Sequence, residues 1–242
     1  MMPRMPGTPV TVAAADLRVA LARVLPAVSR DRKESLLQCV LVEARRDLVR
    51  LVATDRHRLV VAEMGAHGAG DADAVIRAPV RASALEGIDL EPDGRLGIAL
   101  DDDRLVIGDQ RVDVVAGDFP DYERFLAADA RTRSLTVERA ALLHAIEGGD
   151  DEAPLRFRFT AGRLEVDEPP VPMAASYDGP SVEVLLDAGY AHDAVAAAAG
   201  PDVVLEASDE RSPVVVRSPG NTSYTAIVMP VRRAEPRPDR RR

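Results

Sequence analysis

The chain shows two hydrophobic spacings in turn. From Val10, "VTVAAADLRVALARVLPAV" opens as a short strand pattern. It passes into a segment where Leu17, Ala20, Leu21, Val24 and Val28 recur on one side at helical spacing. From Leu135, "LTVERAALLHAI" repeats that opening, with Leu142, Leu143 and Ile146 as the apolar side. In the first half the pattern then predicts strands near 36–43, 47–54, 58–64 and 73–78, a helix near 80–88, and strands near 94–100, 104–109 and 111–116. The second half predicts strands near 154–160, 163–167, 172–177 and 181–186, a helix over 188–199, and strands near 202–207, 213–218 and 223–229. Each half reads strand, helix, four strands, helix, three strands. A repeated unit of this size implies duplication, with one domain over 8–128 and a second over 129–233, joined by the polar connector "AADARTRS". Ala44-Arg45-Arg46 is short enough for a hairpin. Asp101-Asp102-Asp103 reads as a hairpin tip, where water screens the like charges. Residues 234–242, AEPRPDRRR, carry no apolar periodicity and read as a disordered tail.

Composition narrows the function classes. Hydrophobic residues make up 46 % of 242 residues and aromatics only 3 %, so the core must be built from Ala, Val and Leu. The net charge of −9 does not suit indiscriminate nucleic-acid binding, although one face can still be basic. Cys39 is the only cysteine, which excludes an intrachain disulfide and a cysteine zinc site; its apolar surroundings make it a buried small hydrophobe. No apolar run is long enough to span a membrane and the N-terminus has no signal core, so a cytoplasmic protein is the expectation.

Three stretches are candidates for function. In "VATDRHRLVV", residues 52–61, five polar or charged residues interrupt a strand pattern. Asp55 and His57 there resemble a base and its orienter, which keeps a hydrolase in view. Thr54 and Asp55 equally suit a polar corner, bonded to the backbone of a turn, and Arg58 can pair with Asp55. In "GDFPDYERFL", residues 117–126, Phe119, Tyr122 and Phe125 hold three of the protein's eight aromatics. In "YTAIVMPVRR", residues 224–233, Pro230 must end sheet pairing or lie at an edge. The four histidines have no partner at metal-ligand spacing, and no nucleophile elbow or phosphate-binding glycine loop appears. No metal or cofactor is expected.

Together these stretches resemble the bacterial sliding clamp, the β subunit of DNA polymerase III. "LVATDRHRLVV" is similar to its (T)DGHRL segment, "GDFPDYERFL" to the FPDY segment ending its middle domain, and "YTAIVMPVRR" to its C-terminal MPM/VR end. "VEVLLDAGYAHDAVAAAAGPDVVLEASDERSPVVVR" looks like the second half of its last domain. The resemblance covers residues 8–233 and matches the middle and last of three family domains, the first having no counterpart. It implies an α+β fold of two tandem DNA-clamp domains, each with two helices packed on antiparallel sheets. It also implies a non-catalytic, cytoplasmic processivity factor of bacterial DNA replication. The family ring has six domains, so a two-domain chain implies a homotrimer or association with a full-length clamp.

The family binds short motifs of polymerases, the clamp loader and repair proteins in a hydrophobic cleft between its middle and last domains. Carried over, that cleft is lined by Leu37, Thr54, His57, Arg58 and Leu59, by Pro120, Arg124 and Phe125, and by Tyr190, Pro213, Val228, Met229, Pro230, Val231 and Arg232. Arg56 stands where the family usually has glycine, a residue that permits an unusual backbone angle. Arg56 is expected to narrow the mouth or add charge, shifting preference towards acidic motifs. The family also holds double-stranded DNA with basic residues on its helices. Here the first half offers Arg18, Arg23, Arg30, Arg32, Lys33, Arg77 and Arg81. Residues 129–233 carry 10 basic and 17 acidic residues, a poor lining for phosphate. The alternative implied is a divergent clamp paralogue without DNA encirclement, acting as a regulatory or decoy peptide-binding module.

Overall fold

The computed structural model describes residues 9–68, 75–88, 90, 94–126, 133–149, 153–166, 171–177 and 179–231. The chain divides into two compact units, Met1–Ala128 with Gly220–Ile227, and Asp129–Pro219 with Val228–Arg242.

The first unit begins with β1 (Val10–Ala13), which runs directly into α1 (Ala14–Val24). The periodic positions do what their spacing predicts: Ala14, Leu17, Ala20, Leu21 and Val24 are buried and the helix lies on two strands, β3 (Leu48–Thr54) and β4 (Arg58–Gly65). Pro26 then tightens the chain into a 3-10 turn, Leu25–Ala27, so Val28 lies beyond the helix it was expected to extend. β2 (Cys39–Ala44), β3, β4 and β6 (Ile76–Arg81) form one antiparallel sheet in the order β4-β3-β2-β6. β5 (His67–Gly68), β1, β7 (Arg95–Asp101), β8 (Arg104–Ile107) and β9 (Gln110–Asp113) form another, in the order β5-β1-β7-β8-β9. Pro79 is tolerated in β6 because that strand lies at the end of its sheet order.

Two first-half expectations shift. The strand expected from 36 starts at Cys39, because Leu37 and Gln38 donate backbone hydrogen bonds to the Glu34 carbonyl and keep 34–38 in a turn. The helix expected over 80–88 shortens to α2 (Ala82–Glu86), because β6 runs on to Arg81. One further turn of helix, α3 (Glu123–Leu126), was not expected.

The second unit repeats the opening with β10 (Arg133–Glu138) and α4 (Arg139–Glu147). β11 (Leu155–Thr160) alternates strictly, burying Leu155, Phe157 and Phe159 while the half-buried Arg156 and Arg158 lie on the opposite face. Phe159 packs tilted against Tyr177, with ring centroids 6.0 Å apart. With β12 (Arg163–Val166), β13 (Val171–Ser176), β14 (Val182–Leu186), β15 (Asp202–Ala207) and β16 (Val214–Ser218), the sheet order is β14-β11-β12-β13-β10-β15-β16. α5 (Ala188–Ala196) packs on α4. It starts where the Asp187 carboxylate accepts the Tyr190 N–H at 2.9 Å, and it ends earlier than the expected residue 199.

The last strand, β17 (Asn221–Val228), was expected in the second repeat. Residues Gly220–Ile227 instead group with the first unit. β17 neighbours β4, and the Arg23 guanidinium lies 5.3 Å from the Tyr224 ring centroid and donates to Ser223 Oγ at 3.4 Å. Its pairing stops at Val228, ahead of Pro230, as the missing N–H of proline requires. The expected tail 234–242 and much of the connector lie outside the described residues.

Candidate functional site

The polar interruption after β3 is the turn into β4. Thr54 Oγ1 donates to the Arg58 carbonyl at 2.7 Å and accepts the Arg56 N–H at 3.2 Å. Asp55 Oδ1 accepts the backbone N–H groups of His57 and Arg58, both at 3.0 Å. Asp55 Oδ2 accepts Arg58 Nε at 3.0 Å, and the Arg58 guanidinium also donates to the Pro26 carbonyl. The Asp55 carboxylate is thus engaged by the turn and Arg58. That is the polar-corner arrangement, and it gives no support to a base orienter for hydrolysis.

Arg56 sits at φ 78°, in the left-handed region that side chains rarely adopt. This is the backbone angle a glycine at this position would permit. The Arg56 side chain is exposed and pairs with Glu34 at 2.7 Å, which ties the 29–38 loop to the corner. His57 is exposed, Arg58 is half-buried, and Thr54, Leu59 and Leu37 are buried. Leu37 closes the 29–38 loop, its carbonyl accepting the Ser29 N–H at 2.8 Å.

Pro120, Arg124 and Phe125 are exposed, with the Arg124 guanidinium 4.7 Å from the Phe125 ring centroid. No described hydrogen bond or ion pair brings them to the corner. Their segment is anchored by Tyr122, whose hydroxyl donates to Glu43 Oε2 at 2.5 Å and accepts from Arg50 Nη1 at 3.0 Å. Arg50 lies four residues before Thr54, about 13 Å along an extended strand.

That anchor is part of an arrangement not anticipated from the sequence. Arg77 on β6, Glu43 on β2, Arg50 on β3 and Glu63 on β4 stand directly opposite one another in register. The ion pairs are 3.0 Å for Arg77–Glu43, 3.6 Å for Arg50–Glu43 and 2.6 Å for Arg50–Glu63. The signal was present: a glutamate inside the apolar run "CVLVEA" needs a buried partner. Burial first, then the hydrogen bond to Glu43, pushes the Tyr122 pKa up to about 12, against the opposing effect of Arg50. Burial acts to lower the Arg50 pKa, but the hydrogen bonds to Tyr122 and Glu63 outweigh it and raise it.

In the second unit Tyr190 and Pro213 are half-buried, Val228 is buried, Met229 and Pro230 are half-buried, and Val231 is exposed. Val231 N–H donates to the Leu185 carbonyl at 2.8 Å. This holds residues 228–231 where β14 leads into α5, the helix that carries Tyr190. Arg232 lies outside the described residues.

Four of the expected DNA-facing residues are engaged by other groups. Arg18 donates to the Leu90 carbonyl, Arg23 is engaged by Tyr224 and Ser223, and Arg77 by Glu43. Arg81 donates to Gln38 Oε1 at 2.5 Å and to the Ser35 carbonyl at 3.4 Å. Arg30, Arg32 and Lys33 are exposed on the 29–38 loop. Among the described residues no group of His, Cys, Asp and Glu is arranged to hold a metal ion, and no helix is long and apolar enough to cross a membrane.

Residues 11–121 match the family model for the central domain of the DNA polymerase III beta subunit. The chain is similar to bacterial sliding clamps along most of its length. The beta sliding clamp of Pseudomonas putida is 27 % identical over 234 residues, covering 89 % of this chain and 63 % of that relative. The chain therefore spans less than two thirds of that clamp's length. The crystal structure of the Pseudomonas aeruginosa sliding clamp superposes with a TM-score of 0.82 at 22 % identity, covering 96 % of this chain and 69 % of the clamp. The Caulobacter crescentus clamp, with a TM-score of 0.79 at 20 % identity, covers 96 % of this chain and 67 % of its own; it was solved with PEG bound to a region proposed for β-motif tethering. The expected α+β clamp fold is the fold of this chain.

Proposed function

We propose that this sliding-clamp relative is a tethering platform for short peptide motifs of replication or repair proteins, acting as a processivity factor for DNA synthesis. The observation that carries the reading is the 54–58 corner. The stretch that resembles the family's (T)DGHRL segment folds as a fully hydrogen-bonded turn, with a left-handed residue where that segment has glycine. The Caulobacter clamp's occupied tethering region supports the kind of ligand. Leu37, Thr54, Arg56, His57, Arg58 and Leu59 in the first unit, with Tyr190, Pro213 and residues 228–232 in the second, are the proposed peptide-binding residues. Leu, Met, Val and Pro supply apolar area for anchor side chains, and arginines supply donors to peptide carbonyls or carboxylates. Pro120, Arg124 and Phe125, exposed on the 117–126 segment, belong to the same proposal.

Deleting residues 229–233 tests it. The segment carries one described backbone bond, from Val231, so its loss is expected to abolish binding of a clamp-binding peptide while the thermal transition stays close to the parent's. Unchanged affinity after the deletion refutes the assignment.

A second reading is favoured by the helices of the second unit. The exposed and half-exposed positions of α4 and α5 include Glu147, Asp193, His144 and His192, and their one arginine, Arg139, donates to the Gly200 carbonyl at 2.8 Å. Such a face suits a peptide-binding module that does not encircle DNA. Assembly as three copies, or with a full-length clamp, belongs to the first reading.

A further inference from the structure

We propose that the 29–38 loop is a cationic rim that recognises acidic residues flanking the apolar anchors of a peptide partner; this rests on the peptide-tethering reading above. The loop is built by its own side chains. Ser29 Oγ accepts the Asp31 N–H at 3.2 Å, and Asp31 Oδ1 accepts the Lys33 N–H at 2.9 Å. The Asp31 carbonyl accepts from Gln38 Nε2 at 3.1 Å, and the Ser29–Leu37 backbone bond closes the base. Two ties fix it on the unit. Arg81 holds Gln38 and Ser35 on one side, and Arg56 holds Glu34 on the other, beside the 54–58 corner.

This construction uses up the loop's acids and leaves its cations. Asp31 is turned into the loop backbone and Glu34 is paired with Arg56. Arg30, Arg32 and Lys33 are exposed, and no ion pair with a described residue holds them. Three cations within four residues, in a chain of net charge −9, make a local positive field next to the corner. Arg56 extends it with an exposed guanidinium that Glu34 only partly offsets.

Nucleic acid is the less favoured partner of these cations. A phosphate track needs cations spread along the lining helices. On α1 the exposed positions are Ala15, Asp16, Arg18, Val19 and Ala22; the one cation among them, Arg18, donates to the Leu90 carbonyl, and half-buried Arg23 donates to Ser223. Arg30, Arg32 and Lys33 cluster at the loop beside the 54–58 corner, whereas Arg45 and Arg46, likewise exposed, stand apart on the β2–β3 hairpin. Charges so placed steer encounter and set specificity more than they add affinity.

The test uses the full chain at low ionic strength and fluorescence anisotropy. Two synthetic peptides share a Leu-Phe core, one flanked by glutamates and the other by glutamines; a duplex oligonucleotide is the third probe. The parent is expected to bind the Glu-flanked peptide about tenfold more tightly, as two or three screened ion pairs supply. The combined Arg30→Gln, Arg32→Gln and Lys33→Gln variant should bring that ratio to about one, with Gln-flanked affinity unchanged. Glu34→Gln should raise the ratio by releasing Arg56. Equal binding of the two peptides by the parent, or an unchanged ratio in the triple variant, overturns the rim while leaving peptide tethering intact. Loss of duplex binding with an unchanged peptide ratio assigns the loop to nucleic acid and also overturns it. Binding of neither peptide by the parent removes the tethering reading together with this one.

Discussion

Arg56 carries two opposed physical effects in one position. Its backbone is left-handed, where a Cβ crowds the carbonyl that follows, at a cost of about 1–2 kcal/mol. Its guanidinium gains an exposed ion pair with Glu34, a contact of small net worth once side-chain ordering is counted. The two effects separate by comparing Arg56→Gly with Arg56→Ala, since both remove the ion pair and only glycine relieves the backbone. The glycine variant is expected to be the more stable of the two by about 1 kcal/mol in chemical denaturation. Equal stability would mean the left-handed angle carries no strain here. The residue was legible as an anomaly from its neighbours alone. Glu34, 22 positions away, was not legible as its partner, because nothing in local spacing brings a loop residue to a distant hairpin turn.

At the scale of elements, β6, β2, β3 and β4 of the first unit share one polar row across a largely apolar sheet. Arg77, Glu43, Arg50 and Glu63 occupy matching register positions, and Tyr122 ties the 117–126 segment to the middle of the row. A buried glutamate is tolerable only because its partners are fixed opposite it. The Tyr122 latch has a pH signature. Its pKa is raised to about 12 in the folded protein from the ordinary value of 10.0. Its contribution to stability is therefore complete below pH 10 and is lost as pH rises from there through about 12, because the unfolded chain releases the proton first. The parent is expected to lose stability over that window more steeply than Tyr122→Phe, by up to about 1 kcal/mol per pH unit. Parallel losses in urea denaturation across the window would show that the hydroxyl is not held as described. Strand and helix identities followed from periodicity, and their ends did not. β2 starts late because of a turn closed by Glu34, and α1 stops early at Pro26.

Across the whole molecule the charge balance decides between the two functional readings. The first unit's cations are mostly engaged by its own side chains and carbonyls, and the second unit's helices are acidic on their accessible positions. A topological clamp is expected to stay on nicked circular DNA and to leave when that DNA is linearised, with light scattering giving a multiple of the chain mass. Absence of retention on the circle, with peptide binding intact, would favour the module that does not encircle DNA.

The sequence by itself determined the repeat of strand, helix and strands, the apolar faces that bury, and the resemblance to sliding clamps. These depend on spacing along the chain, and local spacing survives folding unchanged. The tertiary structure decided which polar groups are engaged and which remain available. Arg77, Arg23 and Arg18 looked like free cations and are occupied; Arg30, Arg32 and Lys33 stand exposed beside the corner; and the last strand lies with the first unit rather than the second. Each of those outcomes rests on contacts between residues far apart in the chain. An arginine's charge is written in the sequence, and its availability depends on what folding brings within hydrogen-bond distance.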